Sequence, residues 1–258
     1  LAVGNNHFIV QEQSREGVGR LGLDVGFEEV WNVNLPDGRD SDRIVERVDR
    51  FLSGRTGDPF FLFVTLDNAH FPYEPRKDFR DGWTTCGNCD DSEEFRYLGG
   101  IAQTDAALGD ILASLARNKL ADDTIVVVFA DHGESFDPVH DYEFPRRGLG
   151  SVEWCRTRFD HGSSLFDEVL HVPLVIAGPG VGPARRVGRQ VELLGLMPTV
   201  LDLAGIDRTG LVLDGRSLAP FLAGRDDEGA PAVVSEGMDI RSLRTPDYHY
   251  IVAEDVVR

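Results

Sequence analysis

The chain has 258 residues, of which 41% are hydrophobic, so it is long enough to bury one substantial core. Its 44 acidic residues outnumber its 26 basic residues, which gives a formal net charge of −18. Because binding to a phosphate backbone requires a basic face, this balance excludes a general nucleic-acid binder.

The longest stretch without a formal charge is residues 169–184, which contains three prolines and three glycines. It is too short and too interrupted to span a bilayer, so we expect a soluble chain with no membrane span. Lys77 and Lys119 are the two lysines, and arginine supplies the other basic residues. This bias has two open explanations, a GC-rich genome or adaptation to molar salt, where acidic self-repulsion is screened over roughly 3 Å.

The first half of the chain predicts two helices on either side of a buried strand. Asp40 can cap a helix whose apolar residues recur at helical spacing and which Gly54 ends. The continuous apolar run 60–66 predicts a buried central strand. A second helix is expected from residue 91 or 92 onward, with an apolar stripe made of Ile101, Leu108, Ile111, Leu112 and Leu115.

The second half repeats this alternation of strands and helices. Residues 124–130 and 172–177 predict two further buried strands, and residues 191–203 predict a helix that Gly205 ends. The predicted fold class is therefore α/β, with a mainly parallel central sheet and helices on both faces. We expect a core over residues 1–224 and, from the short β-like pieces beyond it, the start of a small antiparallel subdomain over residues 225–258.

Three histidines stand near the ends of the predicted strands, and ligands bind beyond the carboxyl ends of strands in an open α/β sheet. His70 follows the first apolar run, Asp131 and His132 follow the second, and His161 precedes the third. An adjacent carboxylate and imidazole can supply two ligands of a divalent cation. A loop histidine can donate a proton to a leaving oxygen or contact an anion.

Each of these residues also has a plain structural interpretation. Asp131 can cap the following turn, while His70 and His132 can be ordinary exposed loop residues. Two protein ligands are also too few to close a metal site. Taken one at a time, the residues leave both interpretations open, and only their combination favours a binding site.

Five motifs follow one another in a defined order along the chain. They are His70-Phe71-Pro72-Tyr73, Asp131-His132-Gly133-Glu134, His161-Gly162 leading into residues 165–168, the helical segment 193–206, and Ser235-Glu236-Gly237 followed by Arg241-Ser242-Leu243-Arg244-Thr245. Each motif is weak alone, but their order resembles the sulfatase family of the alkaline phosphatase superfamily. The resemblance covers nearly the whole chain and implies a sulfuric ester hydrolase.

The resemblance implies a role for each site residue. Asp131 and His132 would be two ligands of a divalent cation that binds the ester oxygens. That cation would be Ca²⁺, or Mn²⁺ or Zn²⁺ if the chemistry is phosphoryl transfer. His70 would contact the anion and protonate the leaving alcohol. His161 would contact a non-bridging oxygen of the substrate, at a place where many sulfatases have a lysine.

Two parts of the family's site have no counterpart in the sequence. The family's nucleophile is a Cys or Ser in a C/S-x-P-x-R segment that is matured to formylglycine, and neither Cys86 nor Cys155 has that context. The family's paired N-terminal aspartates are missing too. We expect both parts to lie upstream of Leu1, so that the 258-residue chain alone binds metal weakly and hydrolyses nothing.

Two other functions stay open at this stage. A phosphodiesterase or phospho-transferase of the same superfamily shares the Asp-His pair, and a non-catalytic, metal-dependent binding protein shares the fold. Glu134 and Asp160 are expected to support the site or to face solvent. The polar loop 137–159 is expected to lie near the site. The spacing of Cys86 and Cys89 suits a metal knuckle or a local disulfide, and it favours a structural link within a loop over a redox site. The substrate, the compartment and the oligomeric state stay open.

Overall fold

The computed structural model describes residues 2–4, 26–32, 40–81, 93–136, 161, 164–225, 232–237 and 240–253. The cysteine pair, the polar loop 137–159 and Asp160 lie outside the described residues. The chain divides into two compact units, residues 1–122 and residues 123–258. The expected domain boundary at residue 224 stays a prediction.

The described residues of the first unit form three short strands and three helices. The strands are β1 (Ala2–Gly4), β2 (Val30–Asn32) and β3 (Phe63–Val64). β1 lies between the other two strands and pairs with both in parallel. The helices are α1 (Asp40–Ser53), α2 (Lys77–Asp81) and α3 (Glu93–Arg117).

The apolar run 60–66 forms less sheet than predicted. Only Phe63 and Val64 pair with β1, which is itself three residues long, and the side chains of Phe61 and Phe63 are exposed. The aromatic residues of this run pack in pairs instead, with Phe61 stacked on Phe27 at a ring-centroid distance of 5.6 Å. The prediction of a long buried strand is therefore wrong for the described residues.

The first predicted helix is confirmed, whereas the second buries only part of its predicted stripe, with Ile111 and Leu115 buried. Ile44, Val48 and Leu52 line the buried side of α1. In α3, Ile101 and Leu112 of the predicted stripe are exposed. The buried face is made mainly of small and polar residues, namely Gly99, Gly100, Gln103, Ala107, Ile111, Ser114 and Leu115. Small side chains let α3 approach its neighbours closely, which hydropathy periodicity cannot reveal.

In the second unit, the part of the chain that the structure describes forms five strands and three short helices. The strands are β4 (Val126–Phe129), β5 (Leu174–Ala177), β6 (Val233–Glu236), β7 (Ile240–Arg244) and β8 (His249–Ala253). β4 and β5 form an antiparallel pair, and the last three strands form an antiparallel sheet in the order β6-β7-β8. The helices are α4 (Asp167–Leu170), α5 (Leu196–Leu203) and α6 (Ala219–Leu222).

The helix predicted over residues 191–203 is confirmed at its C-terminal end, whereas it begins at Leu196, after a 3-10 turn at Leu193–Gly195. α5 begins at Leu196, so Pro198 falls in the first turn, where its missing N–H costs nothing. Gly205 follows the helix with a φ of +68°, which glycine adopts without strain.

The described strands form one parallel and two antiparallel sheets, so the mainly parallel central sheet stays a prediction. Within the described residues, no helix combines the length and the apolar character needed to cross a membrane.

Candidate functional site

His70 lies on a tight turn of the first unit. Its backbone N–H donates to the carbonyl oxygen of Asp67 at 3.0 Å, and its own carbonyl accepts from the N–H of Tyr73 at 2.9 Å. Ring atom Nδ1 is 2.6 Å from the carbonyl oxygen of Phe71. A carbonyl oxygen can only accept, so Nδ1 carries the hydrogen and Nε2 is the atom that can exchange a proton with a ligand.

Helix α3 supports this turn from behind through a glycine. A Cβ added at Gly100 would lie 2.1 Å from the carbonyl oxygen of Asn68, so only glycine permits the observed approach. The buried ring of Tyr73 packs edge-on against Phe71 and against Tyr97 of α3, with both centroid distances at 5.7 Å. The turn is therefore fixed by backbone contact and by aromatic packing.

Asp131 and His132 lie directly after β4, in a second turn. The backbone N–H of His132 donates to Asp131 Oδ1 at 3.0 Å. His132 Nδ1 is 2.7 Å from the carbonyl oxygen of Gly133, so this nitrogen carries the hydrogen. Atom Nε2 then presents a lone pair, and it lies 3.8 Å from Asp131 Oδ2. An anionic oxygen and a nitrogen lone pair thus stand side by side.

This donor set fits two ligands of a divalent cation. A metal-binding imidazole needs its other nitrogen held as a donor, and the carbonyl of Gly133 provides that hydrogen bond for His132. The side chain of Asp131 is 86% exposed and therefore accessible to an ion. Among the described residues, no group of three histidine, cysteine or acidic side chains forms a more complete site.

His161 joins the same turn although it is far away in sequence. Its ring stacks on the ring of His132, with a centroid distance of 3.7 Å and an interplanar angle of 22°. Its Nδ1 lies 3.4 Å from Glu134 Oε2. The side chain of Glu134 is only 5% exposed, so of the two expected places, beside the site or in solvent, the structure shows the first.

Helix α4 supports the second turn as α3 supports the first. A Cβ at Gly133 would lie 2.0 Å from the carbonyl oxygen of Glu168, and the N–H of Gly133 donates to the carbonyl of Val169 at 2.7 Å. The hydroxyl of Ser135 donates to Glu168 Oε1 at 3.2 Å. Sequence reasoning missed Glu168 and Val169 as supports, because their partners are more than thirty residues away.

A polar cluster in the second unit consists of Asp167, Arg244 and His249. The guanidinium of Arg244 pairs with the carboxylate of Asp167, the first residue of α4. Ring atom Nδ1 of His249 lies 3.3 Å from Arg244 Nη1 and 3.5 Å from Asp167 Oδ1. A guanidinium can only donate, so this nitrogen accepts from Arg244 and the ring is neutral.

The pKa of His249 agrees with that assignment. Burial lowers it below the ordinary histidine value, the nearby charge of Arg244 lowers it further, and the carboxylate of Asp167 opposes both only in part. The imidazole thus stays neutral near pH 7 beside a guanidinium that pairs with Asp167.

The structure therefore brings three of the four predicted site residues together. Asp131, His132 and His161 meet in the second unit, joined by Glu134. His70 stands on its own turn in the first unit.

Comparison with known proteins gives one family. The sequence model of the family described as Sulfatase matches residues 7–206. Among curated proteins, choline-sulfatase of Rhizobium meliloti is 28% identical over 202 residues, which is 64% of this chain and 36% of that protein. Arylsulfatase K of zebrafish, Danio rerio, is 35% identical over 127 residues, which is 49% of this chain and 21% of that protein.

Solved structures share the fold. A phosphonate monoester hydrolase of Agrobacterium radiobacter superposes with a TM-score of 0.62 at 20% identity, covering 87% of this chain and 54% of that one. A 2-O GAG sulfatase gives a TM-score of 0.58 at 20% identity, covering 88% and 58%. The matches thus span between about a fifth and three fifths of each known protein.

Proposed function

The chain belongs to the sulfatase family, and from this premise we propose that it is the part of a metal-dependent hydrolase that binds and cleaves a sulfate ester. One observation carries the proposal. Asp131 Oδ2 and His132 Nε2 lie 3.8 Å apart at the end of β4, and the ring of His161 stacks on His132 at 3.7 Å. An acidic molecule with a net charge of −18 can hold an anionic ester only where local groups reverse the field.

Asp131 and His132 would hold a divalent cation, which we propose to be Ca²⁺, or Mn²⁺ or Zn²⁺ for a phosphate ester. When bound, the cation would neutralise negative charge on the ester oxygens. His132 contributes Nε2 because the carbonyl of Gly133 occupies Nδ1. His161, held at Nδ1 by Glu134, is left with Nε2 to contact a non-bridging oxygen of the ester.

We propose His70 as the general acid. Its Nδ1–H is bound to the carbonyl of Phe71, so the ring acts as an acid in its doubly protonated form, transfers the proton on Nε2 and returns to the neutral form. When the sulfur–oxygen bond to the alcohol breaks, the alcohol oxygen takes that proton. The side chain is exposed on its turn, which makes this nitrogen accessible to a ligand.

The nucleophile is proposed to come from outside these 258 residues. No C/S-x-P-x-R segment is present in the sequence, and the chain matches only 21% to 36% of the first curated relatives. We also propose that the α/β core completes a mainly parallel sheet, a view that the parallel strands β1, β2 and β3 support. Strong hydrolysis of an aryl sulfate by the 258-residue chain alone would contradict the first of these two proposals.

Replacement of a metal ligand tests the site. Asp131→Asn in the natural protein is expected to weaken Ca²⁺ binding by more than about 100-fold, because loss of supporting partners alone costs about 10–100-fold. Titration calorimetry with Ca²⁺, Mn²⁺ and Zn²⁺ measures the affinity, and sulfate release from an aryl sulfate measures activity. Asp207→Asn is the control, since that exposed carboxylate bonds only Thr209. Equal affinities in the two variants would contradict the proposal.

The same assay separates the alternative functions. Hydrolysis of an aryl sulfate supports a sulfatase, preferential hydrolysis of a phosphate diester supports the phosphoryl-transfer alternative, and metal binding without either supports a binding protein. A phosphate diester is a relevant substrate to test because one of the structures that share the fold is a phosphonate monoester hydrolase.

A leaving-group series tests His70. Its replacement by alanine in the natural protein is expected to slow esters of weakly acidic alcohols more than esters of activated phenols, because only the former need a proton at the leaving oxygen. Equal losses for both classes of ester would remove the role of general acid.

A further inference from the structure

We propose that Arg244 and Asp167 are positioning residues, through which the C-terminal sheet holds the turn of Asp131 and His132 in place. The inference rests on the proposed function for its consequence, which is the affinity for the cation. The effect on the position of the turn is inferred from contacts within the second unit alone.

Helix α4 contacts the turn at Gly133 and Ser135. The carbonyl oxygens of Glu168 and Val169 meet Gly133, one by close approach and one as hydrogen-bond acceptor at 2.7 Å. The carboxylate of Glu168 accepts from Ser135, a fully buried hydroxyl. A shift of α4 would therefore be transmitted directly to the residues on either side of His132 and Glu134.

Few buried apolar side chains hold α4, one within the helix and one, Leu165, two residues before it. It is four residues long, and its sole buried side chain is that of Val169. One turn of helix is too short to be stable in isolation, so outside contacts must fix it. The side chain of its first residue, Asp167, points to the C-terminal sheet and pairs with Arg244 at the end of β7.

Two further contacts hold Arg244 itself in place. His249 on the neighbouring strand lies directly opposite Arg244 in the β7–β8 register, and its Nδ1 accepts from Nη1. The backbone carbonyl of Arg244 accepts from the side-chain amide of Gln190 at 2.9 Å. The guanidinium therefore has a defined place from which to hold α4.

Arg241 on the same strand provides a matched control. It pairs with Glu236, its cross-strand neighbour on β6, and both side chains are about two thirds exposed. Arg241→Gln thus removes the same charge from the same strand at a residue whose ion pair is with Glu236. Arg244→Gln removes the contact with Asp167.

Hydrogen exchange of the segment that contains Gly133 tests the proposal in the natural protein without any metal. Arg244→Gln is expected to speed exchange of the Gly133 N–H by about tenfold or more, while Arg241→Gln leaves it within about twofold. Segments of α5 should keep their wild-type exchange rates in both variants. Unchanged exchange at Gly133 in Arg244→Gln, equal acceleration by the control, or equal acceleration throughout α5 would each overturn the proposal.

A double-mutant comparison shows whether the pair acts as a unit. Asp167→Asn alone should accelerate exchange at Gly133 as much as Arg244→Gln, and the double variant should add little to either. Additive effects would contradict the proposed pairing. If Arg244→Gln does not fold, Arg244→Lys takes its place in the same comparison, with a smaller acceleration expected because lysine keeps the charge but not the fork of donors.

Calcium titration of the same variants links the inference to function. Arg244→Gln is expected to weaken Ca²⁺ binding by about tenfold, as loss of a supporting partner does in known metal sites. Wild-type affinity in a folded Arg244→Gln variant would overturn the link to metal binding. If the wild-type protein itself binds no cation, the proposed function fails, while the exchange measurement still decides whether the pair positions the turn.

Discussion

The turn of His70 and the turn of Asp131 and His132 each rest against a helix at a glycine, but the two helices are held very differently. Behind His70 stands α3, a 25-residue helix with Ala107, Ile111 and Leu115 in the buried interior. Behind Asp131 stands α4, which has four residues and a single buried side chain. Three buried apolar side chains anchor the first support, whereas the second combines a single buried apolar side chain with polar contacts.

This difference indicates what should disturb each turn. Buried packing weakens when a side chain is enlarged or removed, and salt affects it little. Ion pairs such as Arg244 with Asp167 are partly exposed and respond to charge, salt and pH. The first turn should therefore fail together with its unit, and the second should move while its unit stays folded.

The largest effect is expected for Gly100→Ala. The new Cβ would meet the backbone of Asn68 at 2.1 Å, and neither α3 nor the loop can yield cheaply, so we expect a loss of about 3 kcal/mol or more in the free energy of unfolding. Gly109→Ala, on the same helix with nothing within 4 Å, should instead stabilise by about 0.5–1 kcal/mol. Urea unfolding measures both, and losses of similar size would contradict the role of Gly100.

A smaller loss of stability is expected for Gly133→Ala, about 1–3 kcal/mol, because α4 can shift away from the new Cβ. The cost should appear instead as faster hydrogen exchange at residues 131–136 and as weaker Ca²⁺ binding. Gly188→Ala is the control, since a Cβ there meets nothing within 4 Å. If Gly133→Ala destabilises as strongly as Gly100→Ala, the two supports do not differ as proposed.

Removal of a buried polar link in the first unit should cost about 1–3 kcal/mol. The amide of Gln103 donates to the hydroxyl of Ser41 at 2.9 Å, and its oxygen accepts from the N–H of Arg76 at 2.9 Å. Gln103→Leu leaves both partners unsatisfied in a buried place. Ser53→Ala removes an exposed hydrogen bond of α1 and should change stability by less than about 0.5 kcal/mol in the same urea experiment.

The smallest expected effect is a pH dependence of stability that differs between the two units. The pKa of folded His249 lies below the ordinary 6.5, so as the pH falls below about 6.5 the unfolded chain takes up a proton that the folded chain rejects, and stability falls. In the first unit, a hydrogen bond from Ser114 is the main cause that lowers the pKa of Asp49 below 3.8. Its contribution is present above pH 3.8 and is lost only as the pH falls through the lowered pKa.

Urea midpoints at pH 7.5 and 5.5 test this order. The wild-type midpoint should fall at pH 5.5, His249→Gln should reduce that fall, and Asp49→Asn should leave it unchanged. A reduction of the fall by Asp49→Asn and not by His249→Gln would contradict the assignment.

The positions of several elements were predictable from sequence, because local signals determine them. Helix α1 shows apolar residues at helical spacing and Gly54 after its end, and the strands that precede Asp131 and Pro179 show continuous apolar runs. The predicted burial of these two strands is wrong, since Phe129 and Val175 are exposed. Asp131, His132 and His161 were identified from their places at the ends of such runs, and the structure brings them together.

The supports of the site were not predictable, because they depend on contacts between distant residues. Gly133 looks like any turn glycine until the carbonyl of Glu168 is seen 2.0 Å from where its Cβ would lie. Arg244 and His249 lie in short strands whose pattern says nothing about α4. The buried face of α3 was misjudged for the same reason, since close packing selects small residues there rather than the most apolar ones.

The hydrogen bond from Gly133 to Val169 also determines how much of the chain the geometry of the turn depends on. It joins the two ends of a stretch of about 35 residues, so the geometry of the turn does not depend on the length of that stretch. Doubling the length of a flexible loop costs only about 0.6 kcal/mol in closure entropy. The geometry of the turn therefore depends on one glycine and one carbonyl, and not on the number of residues between Phe136 and His161.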